Sequence, residues 1–188
     1  MSKIISLYGL PAAGKTTQAE LLAQELGLIQ FGMGDRLRAE IASGSELGKQ
    51  IKSYVDAGTL ITDDLMSEVI KSVGSDIKEK GIVFDGFPRI ISQAGMLDEI
   101  TAGLGLSVDY FFYLKISPAE ALRRIAARSE FGGRADDKDA SAVNNRMGVF
   151  NQESAVLMDY YRSRNKLVEI DGELSIAEVY ALIKQHLV

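Results

Sequence analysis

The stretch GLPAAGKTTQ, residues 9–18, directly follows the apolar run KIISLY. The spacing G-x-x-x-x-G-K-[ST] is met by Gly9, Gly14, Lys15 and Thr16. In such a loop, small residues let successive backbone N–H groups converge on an anion, and the lysine ammonium reaches the outer phosphates. We therefore predict a phosphate-binding turn between a strand and a helix.

Five short apolar runs alternate with segments of helical periodicity along the chain. Their side chains are apolar at consecutive positions rather than at every second one, which is expected of strands buried on both faces of a sheet. Alternating strands and helices predict an α/β fold in which helices cover a parallel sheet. The predicted strands comprise residues 4–8, 28–31, 81–85, 110–116 and 166–170.

Composition limits what the chain can bind. Its 188 residues suit one domain, and its net charge of −5, from 21 basic and 26 acidic residues, argues against a nucleic-acid or polybasic membrane surface. The absence of cysteine excludes disulfides and thiolate metal sites. The only histidine, His186, is expected on a surface helix. Because no apolar stretch has the length of a membrane span and no secretory signal is present, we expect a cytoplasmic protein.

Local signals place several helices. After the phosphate loop, apolar residues recur at helical spacing and the pattern stops at Gly27, so one side of this helix is expected to pack on the sheet. Two later helices carry capping boxes, in which a serine and a glutamate satisfy each other's backbone N–H groups. These pairs are Ser117 with Glu120 and Ser175 with Glu178, and the apolar stripe of the first helix is Ala19, Leu22, Ala23 and Leu26.

Two segments interrupt the alternation of strands and helices. Between residues 32 and 62 lie two short helical patterns, DRLRAEIA and ELGKQIKSYVDA, which are broken by Gly44 and ended by Gly58. With no strand between them, they predict a helical insertion beside the sheet. The second interruption, residues 129–139, is polar and contains glycine, and it is expected to form a loop.

The stretch FDGFPR places Asp85 at the end of an apolar strand. A carboxylate there is costly unless it meets a cation, hydrogen-bond donors or metal-bound water. Arg89 follows on a loop stiffened by Pro88, at the carboxyl edge of the predicted sheet, where α/β proteins bind ligands. The two side chains therefore predict either a ligand site or an internal Asp–Arg ion pair.

Four arginines surround the polar loop 129–139. Arg124 and Arg128 are four residues apart, so they lie on one side of a helix, while Arg134 is in the loop and Arg146 follows it. In an acidic chain such a group would form a local anion site, because the planar guanidinium suits phosphate. The alternative is that these arginines are solvated and pair with nearby carboxylates.

Together these segments resemble the adenylate kinase family of nucleoside monophosphate kinases over nearly the whole chain. The stretches that carry the likeness are GLPAAGKTTQ, GMGDRLR, DAGTLITD, DGFPRIISQ, GRADD and EIDGELSIAEV. The phosphate loop is generic, whereas DGFPR followed by Gln93 is specific. The resemblance implies a P-loop three-layer α/β/α sandwich with a parallel five-stranded sheet. Within a single domain, 1–188, it implies a helical NMP-binding lobe at 32–61 and a short lid at 129–139.

The resemblance also implies an activity, the reversible phosphoryl transfer from MgATP to AMP that yields two ADP. One alternative is a UMP/CMP or broad-specificity kinase, and another is a non-catalytic nucleotide-binding module. A GTPase is disfavoured because NKLV at 165–168 lacks the aspartate of the guanine-reading motif N-K-x-D. The implied ligands are ATP, AMP and ADP, with Mg²⁺ accompanying ATP and no zinc. No nucleic acid and no membrane is expected as a partner, and the short lid favours a monomer.

The resemblance assigns roles to the residues that match the family's motifs. Asp85, with Thr16 or Thr17, would hold nucleotide-bound magnesium through water. The implied catalytic residues are Lys15, Arg89, Arg124, Arg128, Arg134 and Arg146. The implied ATP-binding residues are Ala12, Ala13, Gly14, Lys15, Thr16, Thr17, Arg128 and Leu174, with backbone from Gly172 to Leu174 near the adenine. The implied AMP-binding residues are Met33, Arg38, Thr59, Leu60, Ile61, Gly86, Phe87, Pro88, Arg89, Gln93, Arg134 and Arg146.

Three features depart from the family's usual pattern. Ala12 and Thr16 stand where glycine is usual, which brings a methyl group and a β-branched side chain into a crowded turn. Met33 stands where a threonine is usual, which removes a hydroxyl near the base, so base recognition is expected to depend on Gln93. The segment between Arg134 and Arg146 is one residue longer than usual.

Overall fold

The computed structural model describes residues 2–56, 61–130 and 140–187. Five strands form one sheet in which every pairing is parallel, in the order β2-β3-β1-β4-β5. The predicted α/β class and the five-stranded parallel sheet are therefore confirmed. The strands are β1 (Lys3–Tyr8), β2 (Ile29–Gly32), β3 (Gly81–Asp85), β4 (Tyr110–Lys115) and β5 (Leu167–Asp171).

Helices fill the connections between the strands, as parallel pairing requires. The first helix ends where the sequence predicts, because Gly27 adopts a left-handed φ of 66° and its N–H bonds to the carbonyl of Ala23. The helices in the described residues are α1 (Lys15–Leu26), α2 (Met33–Ser43), α3 (Glu46–Asp56), α4 (Asp63–Lys71), α5 (Gly74–Lys80), α6 (Ile91–Gly103), α7 (Pro118–Glu130), α8 (Ala140–Arg162) and α9 (Ile176–Gln185). None of them is long and apolar enough to cross a membrane.

The sheet is buried on both faces, which explains its continuously apolar strands. Consecutive strand residues contribute to different cores because side chains alternate across a sheet. One core joins the sheet to α4, α6 and α8, and it includes Ile4, Phe84, Phe111, Val69, Leu97 and Leu157. The other joins the sheet to α1, α7 and α9, and it includes Ile5, Val83, Phe112, Leu22, Ala121 and Val179. The molecule is therefore a three-layer α/β/α structure.

The carboxyl ends of β1 and β3 lie side by side at one edge of the sheet. These strands pair in register, with Leu7 opposite Asp85. The phosphate loop follows β1, and the DGFPR stretch begins at the end of β3. The strand order therefore brings the two predicted ligand-binding stretches together, although they are far apart in sequence.

The buried side of α1 differs from the predicted stripe. Ala19 and Leu22 are fully buried as expected, but Leu26 is 38% exposed. Gln18 is buried instead, and its Nε2 donates to the carbonyl oxygen of Ile176 at 3.0 Å. Because α9 begins at Ile176, the neighbouring helix rather than apolar spacing determines which side of α1 is covered at its start.

Of the two predicted capping boxes, one is complete and one is rearranged. Both reciprocal hydrogen bonds are present between Ser175 and Glu178. At α7, the Glu120 N–H donates to the Ser117 hydroxyl at 3.3 Å, but the Ser117 N–H donates to Glu173 Oε1 at 2.8 Å. The prediction that Glu120 would accept that bond was wrong, because its carboxylate accepts from Arg123 and Arg124.

The segment between β2 and α4 contains two packed helices, α2 and α3, and no strand within its described residues 33–56. Their close approach occurs at Gly48 of α3. A methyl group placed on Gly48 would lie 2.1 Å from the carbonyl oxygen of Glu40 in α2. Only glycine therefore lets these two helices pack at their present distance.

We expect the substitution Gly48→Ala to lower the free energy of unfolding by about 1–3 kcal/mol, because the added methyl group overpacks the α2–α3 contact. Urea denaturation followed by circular dichroism measures this change. Gly95→Ala is the matched control: an added methyl group there meets no atom within 4 Å, and alanine favours the interior of α6 by about 0.5–1 kcal/mol. Equal effects of the two substitutions would contradict the proposed close contact.

Candidate functional site

The phosphate loop is a strained turn at the carboxyl end of β1. Gly9 has φ 147°, and a methyl group there would lie 2.5 Å from the carbonyl oxygen of Leu114. Ala12 has φ 63°, a left-handed conformation that costs a non-glycine residue about 1–2 kcal/mol. Gly14 precedes α1 as its N-cap residue, with φ 91°. The loop therefore ends at the amino terminus of a helix, where backbone N–H groups favour anions.

Lys15 points back into the loop. Its Nζ donates to the carbonyl oxygens of Gly9 at 2.9 Å and of Leu10 at 2.8 Å. The same side chain lies beside Gly86 on the neighbouring loop, because a methyl group placed on Gly86 would be 3.3 Å from Lys15 Cε. The ammonium is thus held between the two predicted ligand-binding stretches.

Asp85 and Thr16 form the polar contact between these stretches. The Thr16 hydroxyl donates to Asp85 Oδ2 at 2.6 Å. Thr17 instead lines a small cleft on the side of α9. The alternative of an Asp85–Arg89 ion pair is not the arrangement found, because Thr16 is the side-chain partner of Asp85 and Arg89 Nε donates to the Gly86 carbonyl at 2.8 Å.

The loop that carries Arg89 is hydrogen-bonded to strand β1 of the sheet. Ser6, which is fully buried in β1, donates its hydroxyl to the carbonyl oxygen of Phe87 at 2.5 Å. The peptide bond between Phe87 and Pro88 is cis. The guanidinium of Arg89 lies beside Gly86, with Nη2 3.7 Å from the position of an added methyl group. Lys15 and Arg89 therefore both flank Gly86.

Gln93 is buried at the start of α6, and both ends of its carboxamide have a protein contact. Its Oε1 accepts a hydrogen bond from the backbone N–H of Arg89 at 2.9 Å. Its Nε2 lies 3.7 Å from the sulfur of Met66 on α4. Because a backbone N–H can only donate, the Arg89 contact places the carbonyl oxygen of the amide on that side.

Tyr8, at the carboxyl end of β1, is buried close to Arg89. Burial raises the pKa of its hydroxyl well above the usual range, further raised by Tyr113 and Glu153 and partly offset by the charge of Arg89. Its ring stacks on that of Phe150 in α8, with centroids 5.3 Å apart. Tyr8 therefore stays neutral and presents an aromatic wall near Arg89.

Arg124 connects α7 to the phosphate loop. Its Nε donates to Glu120 Oε1 at 2.6 Å, so its two terminal nitrogens are not used in that bond. Hydrogen bonds from Arg123 and Arg124 lower the pKa of Glu120 to about 2, so this carboxylate is ionised at neutral pH. Arg124 also lines a cleft of about 30 Å³ together with Ala13, Gly14, Thr17, Gly172 and Leu174.

Other predicted site residues lie on α2 and at Ile61, next to the part of the predicted NMP-binding segment that lies outside the described residues. Met33, at the start of α2, is 8% exposed and belongs to the core that contains Phe31 and Phe84. Arg38 is mostly exposed and forms an ion pair with Asp35. Ile61 is half-buried and packs against the same core as Met33.

Some predictions fall outside the described residues. Thr59 and Leu60 belong to this group, as does Arg134 together with most of the predicted lid, 131–139. Arg128 on α7 and Arg146 on α8 are both described, and both are half-buried. Their assigned roles stay predictions.

Several residues of the site were missed from sequence. Ser6 and Met66 carry no local signal, because their partners Phe87 and Gln93 are distant along the chain. Glu120 could have been found, since it precedes Arg124 by four residues on a helix, a spacing typical of ion pairs.

Comparison with known proteins shows which family the sequence matches. The family model described as "Adenylate kinase" matches residues 7–166. A protein named adenylate kinase from Phenylobacterium zucineum is 42% identical over 178 residues, 94% of this chain and 93% of that protein. A protein of the same name from Caulobacter vibrioides is 41% identical with the same coverage. One from Stenotrophomonas maltophilia is 40% identical over 179 residues, 94% of this chain and 95% of the relative.

We expect Ser6→Ala to lower the free energy of unfolding by about 1–3 kcal/mol, because the buried carbonyl of Phe87 would lose its donor. Urea denaturation gives the value. Ser53→Ala is the control, since this exposed serine only bonds the carbonyl of Gln50 in its own helix and should change stability by no more than about 0.5 kcal/mol. If Ser6→Ala lowers the free energy of unfolding no more than Ser53→Ala does, the hydrogen bond does not anchor the loop.

Proposed function

The chain belongs to the adenylate kinase family, and from that premise we propose how its residues carry out reversible phosphoryl transfer from MgATP to AMP, which yields two ADP. It is a nucleoside monophosphate kinase. The observation that carries the assignment of roles is that Lys15 and Arg89 both lie beside Gly86. One cation belongs to the phosphate loop and the other to the DGFPR stretch, so two phosphate groups bound to them would be neighbours.

On the ATP side, we assign the phosphates to the loop from Ala12 to Thr17. Bound phosphate oxygens would offer Lys15 charged acceptors in place of the carbonyls of Gly9 and Leu10, and hydrogen bonds to charged groups are the stronger ones. Arg124 can keep its Nε bond to Glu120 while its terminal nitrogens meet phosphate. The cleft lined by Gly172 and Leu174 lies next to the loop, which supports its assignment to the ATP adenine.

On the AMP side, we assign the phosphate to Arg89 and Arg38 and the base to Gln93. Arg38 would exchange an exposed ion pair with Asp35 for phosphate, a small loss because exposed pairs contribute about 0–1 kcal/mol. We propose that 32–61, which includes α2 and α3, forms the NMP-binding lobe, and that Thr59, Leu60 and Ile61 complete the pocket. The base of the pocket would be formed by Gly86, Phe87 and Pro88, and Met33 would form its apolar side.

The chemistry assigned to these residues is positioning and charge compensation. Phosphoryl transfer needs little covalent participation from the protein, but it needs donor and acceptor in line and cations on the migrating group. Lys15 and Arg89 would hold the two phosphates, while Arg128, Arg134 and Arg146 would contact them from the lid side. Exclusion of water matters, since an open site would hydrolyse ATP. We propose that the lid, 129–139, and the lobe close together on both substrates.

Magnesium would enter with ATP, and Thr16 and Asp85 fit it. Their oxygens lie 2.6 Å apart at the start of α1, and oxygen ligands, often through water, are those that Mg²⁺ prefers. Thr16 is favoured over Thr17 because Thr17 lies on the side of the small cleft. When bound, the ion supplies positive charge to the phosphate oxygens.

The base preference follows from the fixed amide of Gln93. Its oxygen has one lone pair committed to Arg89 N–H and one free, and its nitrogen can donate, so it offers a base one acceptor and one donor. The pairing edge of adenine matches this pattern, and cytosine presents the same pattern on a smaller ring. Guanine and uracil present the opposite pattern, and rotating the amide to suit them would place its NH₂ against the Arg89 N–H. We therefore propose AMP as the preferred acceptor, followed by CMP.

The roles assigned above use residues of one chain only. We propose that the enzyme acts as a monomer in the cytoplasm. Sedimentation at assay concentration would then show a species of 20.5 kDa.

We predict that Arg89→Ala lowers kcat/KM for AMP by at least about a hundredfold while ATP binding changes little, because hydrogen bonds to charged groups contribute about 1.5–3 kcal/mol each, and more in the transition state. Steady-state kinetics with AMP varied, together with calorimetric titration of ATP, separates the two effects. Arg162→Ala is the control, since Arg162 is an exposed residue at the end of α8 that pairs with Asp159 and Glu169. Near-normal turnover of Arg89→Ala would contradict the assignment.

A coupled assay with MgATP and AMP, CMP, UMP or GMP tests the base assignment. We expect kcat/KM to be highest for AMP, with GMP and UMP lower by about ten- to a hundredfold, because an unpaired buried amide costs about 1–3 kcal/mol. Chelation of Mg²⁺ should abolish turnover. A preference for CMP or UMP over AMP would instead identify a pyrimidine nucleotide kinase, and no turnover of any of the four would identify a non-catalytic nucleotide-binding protein.

The variant Met33→Thr, measured in the same assay, restores a hydroxyl near the base. We expect its KM for AMP to improve by no more than about tenfold, since one hydrogen bond contributes about 0.5–1.5 kcal/mol net. If Met33 only packs in the core, the variant will lose stability and keep the same ratio of activities among the four acceptors.

A further inference from the structure

A second cavity lies at the amino ends of the strands, whereas the proposed nucleotide site lies at their carboxyl ends. It has a volume of about 430 Å³ and is partly open to solvent. It is bounded by the ends of α6 and α8 and by the residues that lead into β4 and β5. Because all strands are parallel, these amino ends of β4 and β5 face away from the edge that carries the phosphate loop. The volume falls within the range of small-molecule sites.

The charge of this cavity is positive on balance. Its charged lining residues are Asp98, Arg164 and Lys166. Asp98 is already engaged, since its Oδ2 accepts from the Tyr160 hydroxyl at 2.6 Å and lies 3.8 Å from Arg164 Nε. Lys166 is half-buried, and within the described parts of the chain its ammonium meets no carboxylate. One uncompensated positive charge therefore lines the cavity.

Arg164 is held in place at the rim. Its guanidinium lies 3.5 Å from the centroid of the Tyr160 ring, and Nη1 donates to the Tyr160 carbonyl at 3.0 Å. A stacked and hydrogen-bonded guanidinium loses little further freedom when it meets a ligand. The rim is therefore preorganised around Asp98 and Arg164.

Tyr161 lines the same cavity and has a buried hydroxyl. The residue is 1% exposed, and its ring stacks on Phe111 with centroids 4.0 Å apart. Its hydroxyl is buried and has no hydrogen-bond partner among residues 2–56, 61–130 and 140–187. Burial raises the pKa of this hydroxyl far above the usual range, so it is protonated and can donate. Buried hydroxyls usually have a partner, and an acceptor bound in the cavity that Tyr161 lines would supply one.

We propose that this cavity binds a small organic anion, a carboxylate or a phosphate monoester on a compact apolar body. The anionic group would be recognised by the ammonium of Lys166 and the hydroxyl of Tyr161. The apolar body would lie against Leu106 and Val108, which form the hydrophobic part of the lining. This site is separate from the nucleotide site, so the proposal does not depend on the roles assigned there.

Calorimetric titration of the full chain tests the proposal with three probes that share a phenyl ring: benzoate, phenyl phosphate and the neutral benzamide, which has the shape of benzoate. We expect one of the two anions to bind with a Kd of about 1 mM or tighter, as suits a ligand of about ten non-hydrogen atoms, and benzamide at least about tenfold more weakly. The stronger of the two anions distinguishes a carboxylate site from a phosphate site. No saturable binding of either anion, or equal binding of benzamide, would overturn the proposal.

The affinity of the same anion for variants of the protein then shows where it binds. Lys166→Gln should weaken binding by at least about tenfold and Tyr161→Phe, which keeps the ring stack, by about threefold or more, in line with loss of a charged and a neutral hydrogen bond. Lys78→Gln is the matched control, because Lys78 is an exposed lysine on α5 outside the cavity. Unchanged binding in Lys166→Gln would overturn the proposal. Loss of binding in Lys15→Met would place the anion in the phosphate loop and would also overturn it.

Discussion

The parallel pairing of β1 with β3 is the contact on which the site depends. At its carboxyl end Leu7 lies opposite Asp85, and the Gly86 N–H donates to the Leu7 carbonyl at 3.0 Å. This bond extends the ladder by one residue beyond the strand and fixes where the next loop begins. Because the phosphate loop leaves the same end of β1, the two loops start side by side. A shift of the register would separate Thr16 from Asp85 and Lys15 from Gly86.

The cations of the site have two kinds of described hydrogen-bond partner. Lys15 and Arg89 donate to backbone carbonyls, which orient their side chains. Arg38 and Arg124 donate to carboxylates, so a phosphate must compete with or share an existing ion pair. In the proposed roles, Lys15 and Arg89 would meet the reacting phosphates, and Arg38 and Arg124 would share their ion pairs with phosphate when the site closes.

The sequence predicts the strands, and the end of the sheet where the two predicted ligand-binding stretches meet, better than it predicts the contacts that support them. All five strands lie within about two residues of their predicted bounds, because an apolar run buried on both faces is a local signal. The buried Gln18 and the exposed Leu26 could not be predicted, since α9 decides which side of α1 is covered. The cap of α7 was predicted wrongly because Glu173, far along the chain, takes the Ser117 N–H. Contacts of this kind depend on tertiary packing.

The departures at Ala12 and Thr16 have opposite physical consequences. Thr16 fits the crowded turn, because its hydroxyl finds Asp85 at 2.6 Å and links the two loops. Ala12 keeps a left-handed φ of 63° that glycine would adopt without strain. Strain of about 1–2 kcal/mol at one residue persists when the surroundings fix the backbone. Here Lys15 bonds the carbonyls of Gly9 and Leu10, and the Ala13 N–H bonds Leu10, so the loop itself holds Ala12 in place. A loop shaped before ligand arrives can receive phosphate without first being ordered.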